Sequence, residues 1–161
     1  MRHAMIYRHI FIVRSVLETI RREVRQARWR ETGGALVGYV SDDGAVVATS
    51  ASGPGKRARR RRNSVLIDGV HAQTFCDAIY KESGGCFDYV GDWHRHPGQS
   101  LGASVRDREA MRIVAESASC PLHHPISLIY RNRREALAVY TLNNDGDLIP
   151  THATIIDDIP L

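Results

Sequence analysis

Gly91-Asp92-Trp93-His94-Arg95-His96-Pro97, followed after a short loop by Ser104-Val105-Arg106-Asp107, is the stretch on which the reading of this chain turns. It sets two imidazoles, a hydroxyl and a carboxylate within fourteen residues. His94 and His96 are two apart, so on an extended strand both project from one face. Asp107 lies eleven residues past His96, where a turn and the start of a helix can swing it back. Structural zinc sites are usually closed by four protein ligands, whereas catalytic sites keep one position for water. Two His and one Asp make three ligands, so if these residues meet, the site is an open one.

Each piece also has a plainer reading. A histidine on a strand is often a partly buried residue with its hydrogen bonds satisfied. Ser104-Val-Arg-Asp107 is a competent capping box, Ser as N-cap and Asp at the third helical position. The helix-start and ligand readings of that segment are compatible, because an Asp in the first helical turn is oriented by the backbone. The combination of His-x-His-Pro, a glycine-containing loop and Ser-x-x-Asp is more constrained than any one of its parts.

Working outward, Phe87 to His96 reads as a strand and Val105 to about Ala118 as a helix. Upstream, Ile10 to Val13 predicts a short strand. Ser15, with Glu18 three residues on, looks like a capping box. It opens an amphipathic helix that spaces Leu17, Ile20, Val24 and Ala27 along one face. Glu31 to Val40 reads as a strand whose paired glycines suggest close backbone approach or a bulge. Ser41-Asp-Asp-Gly44 is turn chemistry, and Ala45 to Ala48 the return strand. Val65 to Ile67 is a short strand. Val70 to Ser83 is a helix carrying Phe75, Ala78 and Ile79 on one side, ended by Gly84-Gly85. Ile126 to Tyr130 and Ala136 to Leu142 complete the strands, with Leu148 to Ile156 as an edge candidate and residues from about 150 to 161 as a loose tail. The order predicts an α+β domain: a mixed, largely antiparallel β-sheet with flanking helices. One domain over residues 1–161 fits this length, which suffices for a hydrophobic core without staples.

The net charge of +4 is local rather than global. Lys56, Arg57, Arg59, Arg60, Arg61 and Arg62 contribute +6 from one basic loop, residues 53–63, and the remainder holds 16 basic against 18 acidic residues. The loop is either a solvated segment or a clamp for an acidic partner through arginine–carboxylate pairs. No aromatic residues interleave the arginines to stack bases, which argues against a nucleic-acid site. No run of 18 apolar residues predicts a membrane span, and the apolar N-terminus is broken by Arg8, His9 and Arg14, unlike a secretory signal. Cys76, Cys86 and Cys120 form no pairing pattern and read as reduced thiols, so a cytoplasmic location is expected. His123-His124, between two prolines, reads as a surface loop.

His94-Arg-His96, seven residues, Ser104, two residues, Asp107, with an upstream Glu31 opening a strand, resembles the signature of the JAMM (MPN-plus) metallopeptidases. The Glu31-Thr-Gly-Gly-x-Leu-x-Gly context and Pro97 match as well, and the resemblance spans about residues 9–143. It implies the MPN, cytidine-deaminase-like fold. It also implies one Zn²⁺ held by His94, His96 and Asp107, with water as the fourth ligand and its pKa lowered from about 15.7 to about 7. By the same resemblance Glu31 is the general base and then acid, and Ser104 hydrogen-bonds the oxyanion. Arg95 stands where this family usually has Ser or Thr, and on a strand it points away from the metal. The chain is most similar to short bacterial members such as the deconjugating peptidases of CBASS antiphage operons. The implied substrate is a protein conjugate, cleaved after the C-terminal tail of a ubiquitin-like protein or a nucleotidyltransferase. A processing peptidase for a sulfur-carrier protein and a non-catalytic MPN scaffold are the alternatives. The oligomeric state is left open by the sequence.

Overall fold

The strand that carries both histidines lies at the centre of the sheet rather than at an edge, and the rest of the architecture follows from how it is flanked. The computed structural model describes residues 6–98 and 100–159. Within them the chain runs β1 (His9–Val13), α1 (Arg14–Ala27), β2 (Gly33–Val40), β3 (Ala45–Ala51), β4 (Arg59–Arg60), β5 (Val65–Leu66) and α2 (Gly69–Glu82). It continues through β6 (Asp88–Arg95), α3 (Val105–Glu116), β7 (Ile126–Arg131), β8 (Ala136–Leu142), β9 (Leu148–Pro150) and β10 (Ala153–Ile156). Eight strands form one sheet in the order β10-β1-β3-β2-β6-β7-β8-β9, and β4 with β5 form a separate two-stranded ribbon. Four of the seven pairings in the large sheet are antiparallel, so the α+β, mixed and largely antiparallel expectation holds.

The sheet curls strongly. β9 and β10 lie at opposite ends of the strand order, yet only Thr151 and His152 separate them in sequence. Three residue steps reach about 10 Å at most, so the two edges are drawn together. The junction is held by the Ile10 N–H donating to the His152 carbonyl and the Thr151 N–H donating to the Val139 carbonyl.

Helix α1 fills the inside of the curl. Val16, Leu17, Ile20, Val24 and Ala27 recur at helical spacing and are all buried, against Ile10, Ile12, Leu36, Val46, Trp93, Ile126 and Leu128. Burying each large aliphatic side chain contributes roughly 1.5–3 kcal/mol, so this layer dominates the stability. The opposite face holds a smaller apolar cluster of Ala35, Val37 and Cys76 under α2. Asp68 caps α2 by accepting from the His71 N–H, and Gly84 and Gly85 leave it with φ of 65° and 83°. Ala78, expected on the packed side of α2, is exposed instead.

Three expectations are corrected. Ser15 does not cap α1: β1 runs directly into the helix, Val13 occupies the N-cap in extended conformation, and no side chain caps it. The basic segment is not all loop. Arg59–Arg60 pairs with Val65–Leu66, and the Arg61 N–H donates to the Ser64 carbonyl to close the turn between them. Residues 153–156, expected both as part of an edge strand and as part of a loose tail, are β10, an edge strand paired in parallel with β1, with Ala153 and Ile155 packed on the core. The edge of β1 offers a ladder of unpaired groups, and a short alternating segment satisfies it. Residues 160–161 of the expected tail lie outside the described residues.

Candidate metal centre

Strand β6 divides its side chains between two environments. Trp93 and Arg95 enter the α1 face and are buried, while Asp92, His94 and His96 line a cleft of about 610 Å³ on the other side. Two glycines let the strand sit this close to β2. A Cβ on Gly33 would stand 2.5 Å from the Trp93 carbonyl oxygen and 3.2 Å from the His94 Cβ, and one on Gly34 only 2.1 Å from the Ser52 carbonyl oxygen. Gly33 therefore lets β2 pass close by His94, with Glu31 just upstream, while Gly34 makes room for the Ser52 carbonyl and the Trp93 indole. The Trp93 indole donates to the Ser52 carbonyl at 2.9 Å, fixing the strand from behind.

After β6 the chain loops through Pro97 and returns at α3. Ser104 is its N-cap, and the capping box is complete: the Asp107 N–H donates to Ser104 Oγ at 3.2 Å and the Ser104 N–H donates to Asp107 Oδ2 at 2.7 Å. The helix start and the proposed ligand are thus one device. Asp107 Oδ1 lies 3.2 Å from His94 Nε2, Asp107 Oδ2 lies 3.3 Å from His96 Nε2, and the two imidazole Nε2 atoms are 2.9 Å apart. Among the described residues, His94, His96 and Asp107 form the one group of three or more side chains placed to hold a metal.

The two histidine–carboxylate spacings approach those of a tetrahedral ion, and the 2.9 Å between the imidazoles is a few tenths of an ångström shorter. Metal–ligand bonds of about 2.0–2.2 Å at tetrahedral angles separate ligand atoms by about 3.3–3.6 Å. His96 Nδ1 lies 3.2 Å from the Ser100 carbonyl oxygen. A carbonyl only accepts, so Nδ1 carries the proton and Nε2 keeps its lone pair for a metal. Burial works to raise the Asp107 carboxyl, but the hydrogen-bonded His94 and His96 rings outweigh it and hold the group well below the usual carboxylate range. The hydrogen bond to Asp107 in turn raises His96 above an ordinary imidazole, against the opposing effect of burial.

Glu31 lines the same cleft and stands outside the ligand group. Its N–H donates to the Arg61 carbonyl at 2.8 Å, so the basic ribbon holds it by the backbone. Burial raises its carboxyl above the ordinary value, with His94 and His96 pulling the other way. Ser104 is exposed at the cleft, and its oxygen already accepts a backbone hydrogen bond, which leaves the hydroxyl hydrogen to donate. Lys56, Arg57, Arg59, Arg61 and Arg62 are exposed and Arg60 half-buried. The far end of the ribbon is fixed to α3, where Arg106 donates to the Asn63 carbonyl at 3.3 Å. The ribbon thus bridges Glu31 and the first turn of α3.

Asp92 was not among the residues singled out from the sequence. Its carboxyl, on the cleft wall, is pushed up to about 6 by burial, against the Tyr89 hydroxyl and the His94 ring. The signal was available: 92, 94 and 96 share one strand face. His124 takes no part in the site, since its Nδ1 pairs with the Leu142 carbonyl at 2.9 Å. Cys76 is buried, as expected of a core residue, and Cys86 and Cys120 are free.

Comparison with known proteins agrees with this geometry. Residues 13–142 match the family described as prokaryotic homologs of the JAB domain. A probable metalloprotease, y4qB, from Sinorhizobium fredii is 34% identical over 123 residues, which cover 74% of each chain. A CD-NTase/cGAS isopeptidase from Escherichia coli is 31% identical over 55% of this chain and 57% of its own length. Its counterpart from Vibrio cholerae is 34% identical over 51% of this chain and 52% of its own. The chain thus spans little more than half of those two isopeptidases. The solution structure of protein DSY2949 from Desulfitobacterium hafniense superposes with a TM-score of 0.70 at 16% identity, over 93% of this chain and 94% of that one, and so shares the fold. The extent of the family match, together with the His94–His96–Asp107 cluster, places this chain among the JAB-domain metalloproteases.

Proposed function

We propose that the protein is a zinc isopeptidase that hydrolyses the bond after the C-terminal tail of a conjugated protein, a ubiquitin-like protein or a CD-NTase, in bacterial antiphage signalling. The observation that carries the chemistry is the convergence of His94, His96 and Asp107 within 3.3 Å of one another, beside a non-ligand carboxylate in an open cleft. The kinship to the two isopeptidases supports the choice of bond. We further take residues 1–161 as one catalytic domain acting in the cytoplasm.

When bound, zinc supplies Lewis acidity and a water acidified to about pKa 7. The chain's own residues do the rest. His94, His96 and Asp107 would hold the ion. Glu31, raised by burial, accepts the proton from the attacking water and delivers it to the leaving amine. Ser104 donates its hydroxyl to the oxyanion as the carbonyl becomes tetrahedral. The guanidinium groups of Arg57, Arg59, Arg60, Arg61 and Arg62, with Lys56, contact acidic side chains on the conjugate beside the cleft.

The test is a panel of purified conjugates: a CD-NTase tail joined to a target lysine, a ubiquitin-like tail joined likewise, and a sulfur carrier with residues beyond its Gly-Gly. Zinc-dependent release of an intact tailed protein from the first or second supports the proposal. Cleavage of the sulfur-carrier precursor alone would replace it with a processing role.

A further inference from the structure

Residue 95 stands between two of the three candidate ligands, yet its side chain leaves the cleft altogether. Strand alternation turns Arg95 to the opposite face, where it is 3% exposed. There its Nη1 donates to the Arg28 carbonyl at the end of α1. The last carbonyls of a helix lack intrahelical donors and carry the negative end of the helix dipole, so a guanidinium suits that position. Arg28 has φ 58° and ψ −110°, a positive-φ conformation that glycine adopts far more readily than other residues. It marks the point where the chain turns off the helix toward Glu31. The Arg95 backbone N–H, meanwhile, donates to the Thr32 carbonyl at 2.9 Å.

One residue therefore ties both ends of the segment 28–32: the side chain at residue 28 and the backbone at residue 32. Glu31 lies inside the segment. The backbone tie comes with the β-pairing and any residue would make it. The side-chain tie needs a long cation able to reach from β6 to the end of α1. Burial of a guanidinium carries a desolvation penalty, and Arg95 Nε finds no partner. An apolar side chain would pack there without that penalty, so what Arg95 adds is the hold on Arg28 and a positive charge felt by Glu31.

We propose that Arg95 is a positioning residue for Glu31, fixing the α1-to-β2 connection so that the Glu31 carboxylate stays beside the His94–His96–Asp107 cluster. Arg95 touches neither substrate nor metal and acts through the backbone of residues 28–32. Its role rests on Glu31 being the proton carrier proposed above.

The variants Arg95→Met and Arg95→Lys separate positioning from simple packing. Zinc alone, titrated into each purified full-length protein, is expected to bind at one equivalent with affinity within about threefold of wild type, because the ligands are untouched. Residue-resolved amide exchange on the metal-free protein should show Glu31 and Thr32 exchanging about tenfold faster in Arg95→Met, with the amides of β7 unchanged. On a tailed conjugate, kcat should fall about 10- to 100-fold with KM nearly constant, as expected of a misplaced catalytic group. Arg95→Lys, which keeps a cation near the Arg28 carbonyl, should recover most of both effects. Should Arg95→Met not fold, Arg95→Gln takes its place, with effects in the same direction but smaller because it keeps a neutral N–H donor. Unchanged exchange at residues 31 and 32 would overturn the proposal, as would loss of zinc in step with activity or a Lys variant no better than Met. If wild type shows no zinc-dependent hydrolysis, the isopeptidase reading fails, while exchange and zinc binding still decide what Arg95 holds.

Discussion

The two faces of strand β6 show how one short segment serves two unlike purposes. On the α1 side, Trp93 is fully buried among Ile20, Leu36, Ile126 and Leu128. On the cleft side, the apolar cluster is small, and the strand presents Asp92, His94 and the following His96. The dry face supplies the stability that lets the other face present His94 and His96 to Asp107 of α3, an arrangement that favours metal binding over packing. Substitutions should therefore fall into two kinds, those that remove chemistry and those that remove stability.

The largest effect separates the faces most cleanly. His94→Ala or Asp107→Ala takes away one of three ligands, so bound zinc and hydrolysis should be lost together. The thermal midpoint of the metal-free His94→Ala protein should move little, since that side chain lies outside the α1 core, whereas Asp107→Ala also removes half of the α3 capping box and should lower it. Metal analysis beside a melting curve checks both. Loss of folding in the metal-free His94→Ala protein would mean that the faces are not independent. Glu31→Gln comes next: zinc stays at one equivalent while kcat falls by about 10²–10⁴, the usual worth of a general base. Full turnover by Glu31→Gln would remove Glu31 from the mechanism. On the other face, Ile20→Ala should destabilise by about 2–5 kcal/mol, as a truncation in a close-packed core does, read by denaturant unfolding. Activity per folded molecule should be unchanged.

Much of this division was legible in the sequence. The 3.6-residue spacing of Leu17, Ile20, Val24 and Ala27 gave α1 its buried stripe. The two-residue spacing of His94 and His96 gave a common face, and Ser104 with Asp107 gave both the helix start and the third candidate ligand. What escaped depended on contacts between distant segments. Ser15 and Glu18 form a good capping box in isolation, but β1 passes straight into α1 and leaves Val13 at the cap. The span 148–156 reads as one edge strand but is two, β9 and β10, on opposite edges of the sheet, and only the free edge of β1, some 140 residues earlier, gives the second its partner. Arg95 looked like a departure on the ligand strand, and only the curl of the sheet shows what it reaches. Asp92 was overlooked for another reason: it shares the spacing of the histidines, and only its place in the cleft gives that spacing weight.

The pH dependence sharpens the contrast because the imidazole and carboxyl side chains that β6 and the residue after it place in the cleft, Asp92, His94 and His96, all lie on one face. In the metal-free protein His96 is raised by Asp107, so its contribution to stability is fully present below the unfolded value of about 6.5 and is lost as pH rises through the folded value. Asp107 is lowered; its contribution is present above the unfolded value of about 3.9 and is lost as pH falls through the folded one. Zinc needs His96 neutral at Nε2 and so competes with a proton. The rise in melting temperature on adding zinc should therefore grow between about pH 5.5 and pH 7.5 in wild type, and vanish in Asp107→Ala at both. An increment independent of pH would show that the ion does not displace the His96 proton.

The smallest effect belongs to the basic ribbon, which borders the cleft without joining the ligand group. Exposed single charges contribute little each, and salt screens them. Arg59→Glu with Arg62→Glu should raise KM for a conjugate bearing acidic residues by only about three- to tenfold, with kcat and bound zinc unchanged and the difference shrinking as salt is raised. The Arg61 backbone is a separate matter, because its carbonyl holds the Glu31 N–H. Reversing charge at positions 59 and 62 leaves that hydrogen bond in place, so a fall in kcat rather than a rise in KM would show that the ribbon tunes the catalytic carboxylate rather than gripping the substrate.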